Sequence, residues 1–224
     1  MNFKMSIAEN LQHIKASIPE HVQLVAVSKT KPVEDLQLAY DAGQRHFGEN
    51  KIQEMAEKFE ALPQDIYWHM IGHVQRNKVK YMAQFVHLIH GVDSFKLLQE
   101  INKQAKKHNR VIKCLLQIHI AQETTKFGLS EVEALEIMMS NDLKSLENIK
   151  IVGVMGMATF TENKAQIEQE FTALKLTFNR LKQVDNSMTE ISMGMSGDFP
   201  IAISCGSTIV RVGSSIFGHR NYNN

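Results

Sequence analysis

The stretch QLVAVSKTKPVED, from Gln23 to Asp35, decides the fold. Leu24, Val25, Ala26 and Val27 form a short apolar run with the composition of a buried strand. Ser28, Lys29, Thr30 and Lys31 follow, and Pro32 suits the first turn of a helix. A buried strand that ends on ammonium groups asks for a reason. The stretch also argues against an alternative. An open doubly wound sheet often carries G-x-G-x-x-G after its first strand, and SKTKPVED contains no glycine.

The same strand-then-helix rhythm runs outward from there. Before it, Ile7, Leu11, Ile14 and Ile18 fall on one helical stripe, and Ser6 with Glu9 has the spacing of a capping box. After it come strands expected at residues 46–50 (HFGEN), 66–74 (IYWHMIGHV), 85–93 (FVHLIHGVD) and 113–120 (KCLLQIHI). Three more follow at residues 150–157 (KIVGVMGM), 190–196 (EISMGMS) and within 208–218 (TIVRVGSSIFG). A basic helix is expected through Lys78 and Met82. A long one is expected along Ile167, Phe171, Leu174, Phe178 and Leu181. Eight strands alternating with helices predict a single (β/α)8 TIM barrel over residues 1–224, in the α/β class.

Composition narrows the function. With 43% hydrophobic and 22% charged residues the chain has a globular balance. A net charge of +1 gives no field for general nucleic-acid or membrane binding. Neither Cys114 nor Cys205 belongs to a CxxC, and both sit in apolar stretches. Buried free thiols in a reducing compartment are expected. The N-terminus has no secretory pattern, and no apolar run reaches bilayer length. A cytoplasmic location follows.

In such a barrel chemistry sits at the C-terminal ends of the strands. Those ends offer Lys29 or Lys31, Glu49 and Asn50, His73 and Gln75, Asp93, a position near His119, Met157 to Thr159, Ser196, and Arg211 with Gly213 and Ser214. GMSGD and VGSS have the small residues of a phosphate cradle, or simply of turns and caps. A lysine at an apolar barrel mouth has its charged form disfavoured, and a neutral amine attacks aldehydes to form a Schiff base. A lysine that snorkels to solvent is the alternative. Alternation along a strand does not choose between Lys29 and Lys31. Of the ten histidines, His69 and His73 would lie about 13 Å apart on a strand, and His87 and His90 would face opposite ways. No spacing supports zinc, so no metal site is expected.

The segments AVSKTKP, FGEN, WHMIGHVQRNK, SMGMSGDF and GSTIVRVGSSIFGHR resemble the YggS/PROSC family of pyridoxal phosphate (PLP) homeostasis proteins, in order and over nearly the whole chain. The resemblance implies a barrel similar to the N-terminal domain of alanine racemase. It implies that PLP, the vitamin B6 cofactor, is held as a Schiff base on Lys29, the first lysine of SKTKP. Ser196, Gly213 and Ser214 would hold the phosphate, Arg211 would face the pyridine nitrogen, and Asn50 would line the pocket. His119, Gly197 and Pro200 depart from the family's usual residues.

The expected role is therefore non-catalytic PLP homeostasis, with PLP and PLP-dependent apo-enzymes as partners. Two alternatives compete with it: an amino-acid racemase, and a barrel that binds another phosphorylated metabolite. A racemase of this type needs a second base on the opposite face of its substrate. In alanine racemase that is a tyrosine from the partner's C-terminal domain. Tyr40, Tyr67, Tyr81 and Tyr222 offer no replacement at a strand end, and without that domain's dimer contact a monomer is expected.

Overall fold

The structure, a computed structural model, describes residues 5–123 and 127–218. The first turn of helix is set as its sequence predicts. Ser6 Oγ accepts from Glu9 N (3.2 Å), and Glu9 Oε2 accepts from Ser6 N (2.7 Å), which satisfies two N–H groups that the helix itself cannot. That helix, α1 (Ile7–Ala16), leads into β1 (Gln23–Val27), α2 (Val33–Asp41), β2 (His46–Glu49), α3 (Ile52–Ala61) and β3 (Tyr67–Met70). A 3-10 helix (Arg76–Tyr81) precedes β4 (Leu88–Val92), α4 (Phe95–Lys107) and β5 (Ile112–Gln117). Then come α5 (Glu131–Met139), α6 (Asn141–Lys144), β6 (Ile149–Met155) and α7 (Lys164–Val184). The chain finishes with β7 (Glu190–Ser192), α8 (Phe199–Ser204), β8 (Ile209–Val212) and α9 (Ser214–Phe217).

The eight strands pair in chain order, all parallel, and β8 closes on β1. The barrel expected from the sequence is therefore the one observed. The basic segment after β3 is the exception, being 3-10 and not α-helical. Arg76–Tyr81 buries only Val79, so it lacks the apolar stripe that packing needs to sustain an α-helix.

Alternation along each strand sorts the core into two layers. Leu24, Ala26, Phe47, Trp68, Met70, Ile89, Leu116 and Val210 face outward and pack under the helices. Val25, Leu88, Leu115, Val152, Met155 and Ile209 fill the barrel interior. The inner layer is not wholly apolar. His69, His90, Ser192 and Arg211 are buried there too. At Gly153 a side chain is excluded outright, because an added Cβ would lie 1.8 Å from the Glu190 carbonyl oxygen across the β6–β7 pair. Among the described residues no helix is long and apolar enough to cross a membrane.

Candidate functional site

The C-terminal ends of the strands open onto a cavity of about 590 Å³. Lys29, Asn50, Ser196, Arg211, Gly213 and Ser214 all line it.

Lys29 is half-buried, two residues beyond β1, and the loop that carries it is tied down from outside the barrel. Glu49, at the end of β2, lies on the same outer face as Phe47 and is fully buried. Lys58 reaches it from α3 and donates to Glu49 Oε1 (2.7 Å), Glu54 Oε1 (2.7 Å) and the Ser28 carbonyl (2.8 Å). Ser28 Oγ donates to Glu49 Oε1 at 2.6 Å, and Thr30 N donates to Glu54 Oε1 at 2.6 Å. That last bond helps hold Thr30 in the left-handed region (φ 64°), which a β-branched residue adopts only under constraint. The residues on both sides of Lys29 are thus fixed. Burial pushes the Glu49 carboxyl up to about 6, against the opposing pull of Lys58.

Lys31 also lines the cavity, but its Nζ donates to the Phe217 carbonyl at 2.9 Å.

Arg211 is only 4% exposed. Its Nη1 donates to the Ser192 carbonyl (2.9 Å) and Ser192 Oγ (2.5 Å), and its Nη2 to the Gly156 carbonyl (3.1 Å). Part of its donor set is left for the cavity. Burial lowers its pKa to about 10, so it stays a cation and a pure donor at neutral pH.

The third wall is formed by the loops after β7 and β8. Ser196 Oγ accepts from Gly213 N at 3.2 Å and links them. At Gly197 an added Cβ would meet nothing within 4 Å, so this departure leaves open space. Asn50 closes the opposite side. Its Oδ1 is buried with no hydrogen-bond partner. The end of β3 packs against it through Gly72, where a Cβ would fall 2.5 Å from the Asn50 carbonyl oxygen.

Of the other strand-end candidates, Met157 to Thr159 line the cavity as well. Asp93 pairs with His73 (3.3 Å), which does line the cavity and stacks on Phe127. Glu49, Gln75, His119 and Pro200 do not line it. His119 Nε2 instead lies 2.9 Å from the Glu123 carbonyl. β5 ends at Gln117, two residues earlier than expected, so Gln117 takes the strand-end place and donates to the Phe127 carbonyl at 2.8 Å. Tyr40, Tyr67 and Tyr81 are outside the lining, and Tyr222 is outside the described residues.

At the barrel's other end the histidines come together in a way that along-strand spacing did not predict. His46 Nδ1 and His69 Nε2 are 2.9 Å apart. His69 Nδ1 is 2.9 Å from His90 Nε2, and His90 Nδ1 is 2.9 Å from Ser192 Oγ. This buried chain ends on Arg211. His87 joins its lower end, with ring centroids 5.4 Å from His69 and 5.8 Å from His46.

The chain matches the family described as alanine racemase, N-terminal domain, over residues 4–221. It is 39% identical to a pyridoxal phosphate homeostasis protein of Pasteurella multocida, covering 96% of this chain and 95% of that one. It is 40% identical to one from Aquifex aeolicus, covering 89% and 88%. PipY of Synechococcus elongatus, solved with PLP bound, is 34% identical and superposes with a TM-score of 0.87 over 95% of this chain and all of that one. Alanine racemase of Clostridium difficile has the same fold (TM-score 0.82) at 17% identity, with this chain covering 61% of it.

Proposed function

Because the chain belongs to the pyridoxal phosphate homeostasis family, on the alanine racemase N-terminal-domain fold, we propose that it holds PLP at the mouth of its barrel and serves PLP homeostasis without robust turnover. One observation carries this reading: Lys29, Arg211 and the Ser196–Gly213–Ser214 wall share one cavity. The PLP-bound form of PipY supports it. The orphaned Oδ1 of Asn50, at the wall of that cavity, fits a ligand with polar groups to offer.

When bound, PLP supplies an aldehyde for covalent attachment and an electron-withdrawing ring. Lys29 Nζ is the attachment point, as the first lysine of the SKTKP motif at the end of β1 and part of the cavity lining. Ser196, Gly213 and Ser214 hold the phosphate with hydroxyl and main-chain N–H groups. Arg211 donates toward the pyridine nitrogen, and a fixed cation there keeps that nitrogen unprotonated. Ser192 and Gly156 hold the guanidinium in place. No tyrosine among the described residues lines the cavity to act as a second base, which favours a holder over a racemase. Delivery to PLP-dependent apo-enzymes is the role that follows, in the cytoplasm and as a monomer.

Borohydride reduction of the PLP-loaded protein, followed by peptide mapping, tests the site. The adduct is expected on Lys29, and Lys29→Ala should lose the visible absorbance while keeping its circular dichroism. An adduct on Lys31 overturns the assignment. Stereoinversion of an amino acid at about 1 s⁻¹ or faster, within the usual enzyme range, overturns the non-catalytic role.

A further inference from the structure

We propose that His46, His69 and His87 form a zinc-class transition-metal site on the floor of the barrel, at the end opposite the cavity. They come from β2, β3 and the residue before β4, three strands that are neighbours in the sheet. His46 pairs with Tyr67, two residues before His69, and His69 pairs with Leu88, the residue after His87. One ring nitrogen from each lies within 4.8 Å of the others. Nitrogens bound to a tetrahedral zinc sit about 3.3 Å apart, given Zn–N bonds of about 2.0–2.1 Å. His46 Nδ1 and His69 Nε2 are already at 2.9 Å, and rotation of the half-buried His87 side chain closes the rest.

Three features suit a metal. The ligands are three neutral imidazoles, the donor set of zinc, nickel and copper.

The second feature is the support behind His69. To ligate through Nε2, His69 carries its proton on Nδ1, which faces His90 Nε2; His90 in turn faces Ser192 Oγ. An imidazole ligand whose other nitrogen is held by a hydrogen-bond partner has the usual outer-shell arrangement of a protein metal site. The third feature is access. His69 is buried, whereas His46 and His87 are only partly so, and Tyr67 stacks on His46 (4.6 Å) and meets His87 edge-on (4.8 Å). Solvent can supply the fourth ligand.

The test uses metal-free, PLP-free protein titrated with Zn²⁺ by calorimetry and with Co²⁺ by visible absorption. One equivalent per chain is expected, with the visible bands of tetrahedral cobalt. His46→Ala and His87→Ala, both at partly exposed positions, should weaken binding by about 100-fold or more, at least the effect of losing an outer-shell partner. Circular dichroism checks that both variants fold. His13→Ala and His108→Ala, at exposed positions, should bind like the parent, and so should Lys29→Ala, which separates this site from the PLP reading. Absence of a saturable site, or binding unchanged in both His46→Ala and His87→Ala, overturns the proposal. So does loss of binding in His13→Ala or His108→Ala, which would place the metal on the surface.

Discussion

Replacing Lys58 by Met leaves the stem in place and removes one ammonium group. That group makes three short hydrogen bonds, to Glu49, Glu54 and the Ser28 carbonyl. Glu49 has no exposed side-chain surface, and Lys58 has 5%. Without Lys58 the Glu49 carboxylate keeps only the Ser28 hydroxyl as donor, with the charge of Glu54 nearby. Removing one member of a buried pair costs about 3–5 kcal/mol, a fall in Tm of roughly 10 °C for a chain of this size.

The pH dependence gives a sharper signature. Glu49 is already raised from 4.5 to about 6 in the folded protein, and losing Lys58 raises it further. The folded state then keeps a proton that the unfolded state has released. Stability therefore falls as pH rises from 4.5 through the folded value, and falls further in the variant than in the parent. Urea unfolding at pH 8 should show the full deficit. Near pH 4.5 and below, the deficit should shrink to about 1 kcal/mol, the loss of the hydrogen bond to Ser28. Adding Glu49→Gln should restore most of the stability at pH 8. A deficit below about 1 kcal/mol at pH 8, or one that does not change with pH, would refute the reasoning.

Two further outcomes can be checked directly. Gly153→Ala should lower stability by about 3 kcal/mol or more, at the upper end of overpacking penalties, because backbone and not a side chain blocks the added methyl; denaturant unfolding measures it, and a loss below about 1 kcal/mol contradicts the close β6–β7 approach. Under native conditions a thiol reagent should modify Cys205, which is partly exposed, and spare Cys114, which is buried and whose thiolate burial disfavours; mass spectrometry of the labelled peptides decides, and fast labelling of Cys114 would contradict its place in the core.

The strands were legible because each is a short buried run, and a run such as IVRV in β8 is apolar apart from the Arg that faces the cavity. A lysine at the end of β1 was legible for the same reason, as a charge placed where the apolar run stops, but only the family resemblance preferred Lys29 to Lys31. What failed to show was anything set by register between strands. Glu49 and Lys58 look like two unrelated charges until α3 packs over β2. His46, His69 and His87 are far apart in the chain, and only pairing of β2, β3 and β4 unites them. Cys205, expected to be buried, is only partly so: it packs against the core from the C-terminal cap of α8. Gln117 was missed because the alternation of apolar and polar residues continues past β5 in QIHI, whereas Ile118 leaves the strand to bridge Leu129.

The pairing of β1 with β8 has a consequence for how the protein is made. Val25 lies beside Arg211 in the finished sheet, so the first strand synthesised waits for the last. Until β8 leaves the ribosome, β1 and β7 both present open edges, the arrangement that invites pairing with other chains. The cavity wall that holds Arg211, Gly213 and Ser214 is completed in the same final step. A ligand of this cavity therefore recognises only the closed barrel, and its binding draws newly made chains toward closure.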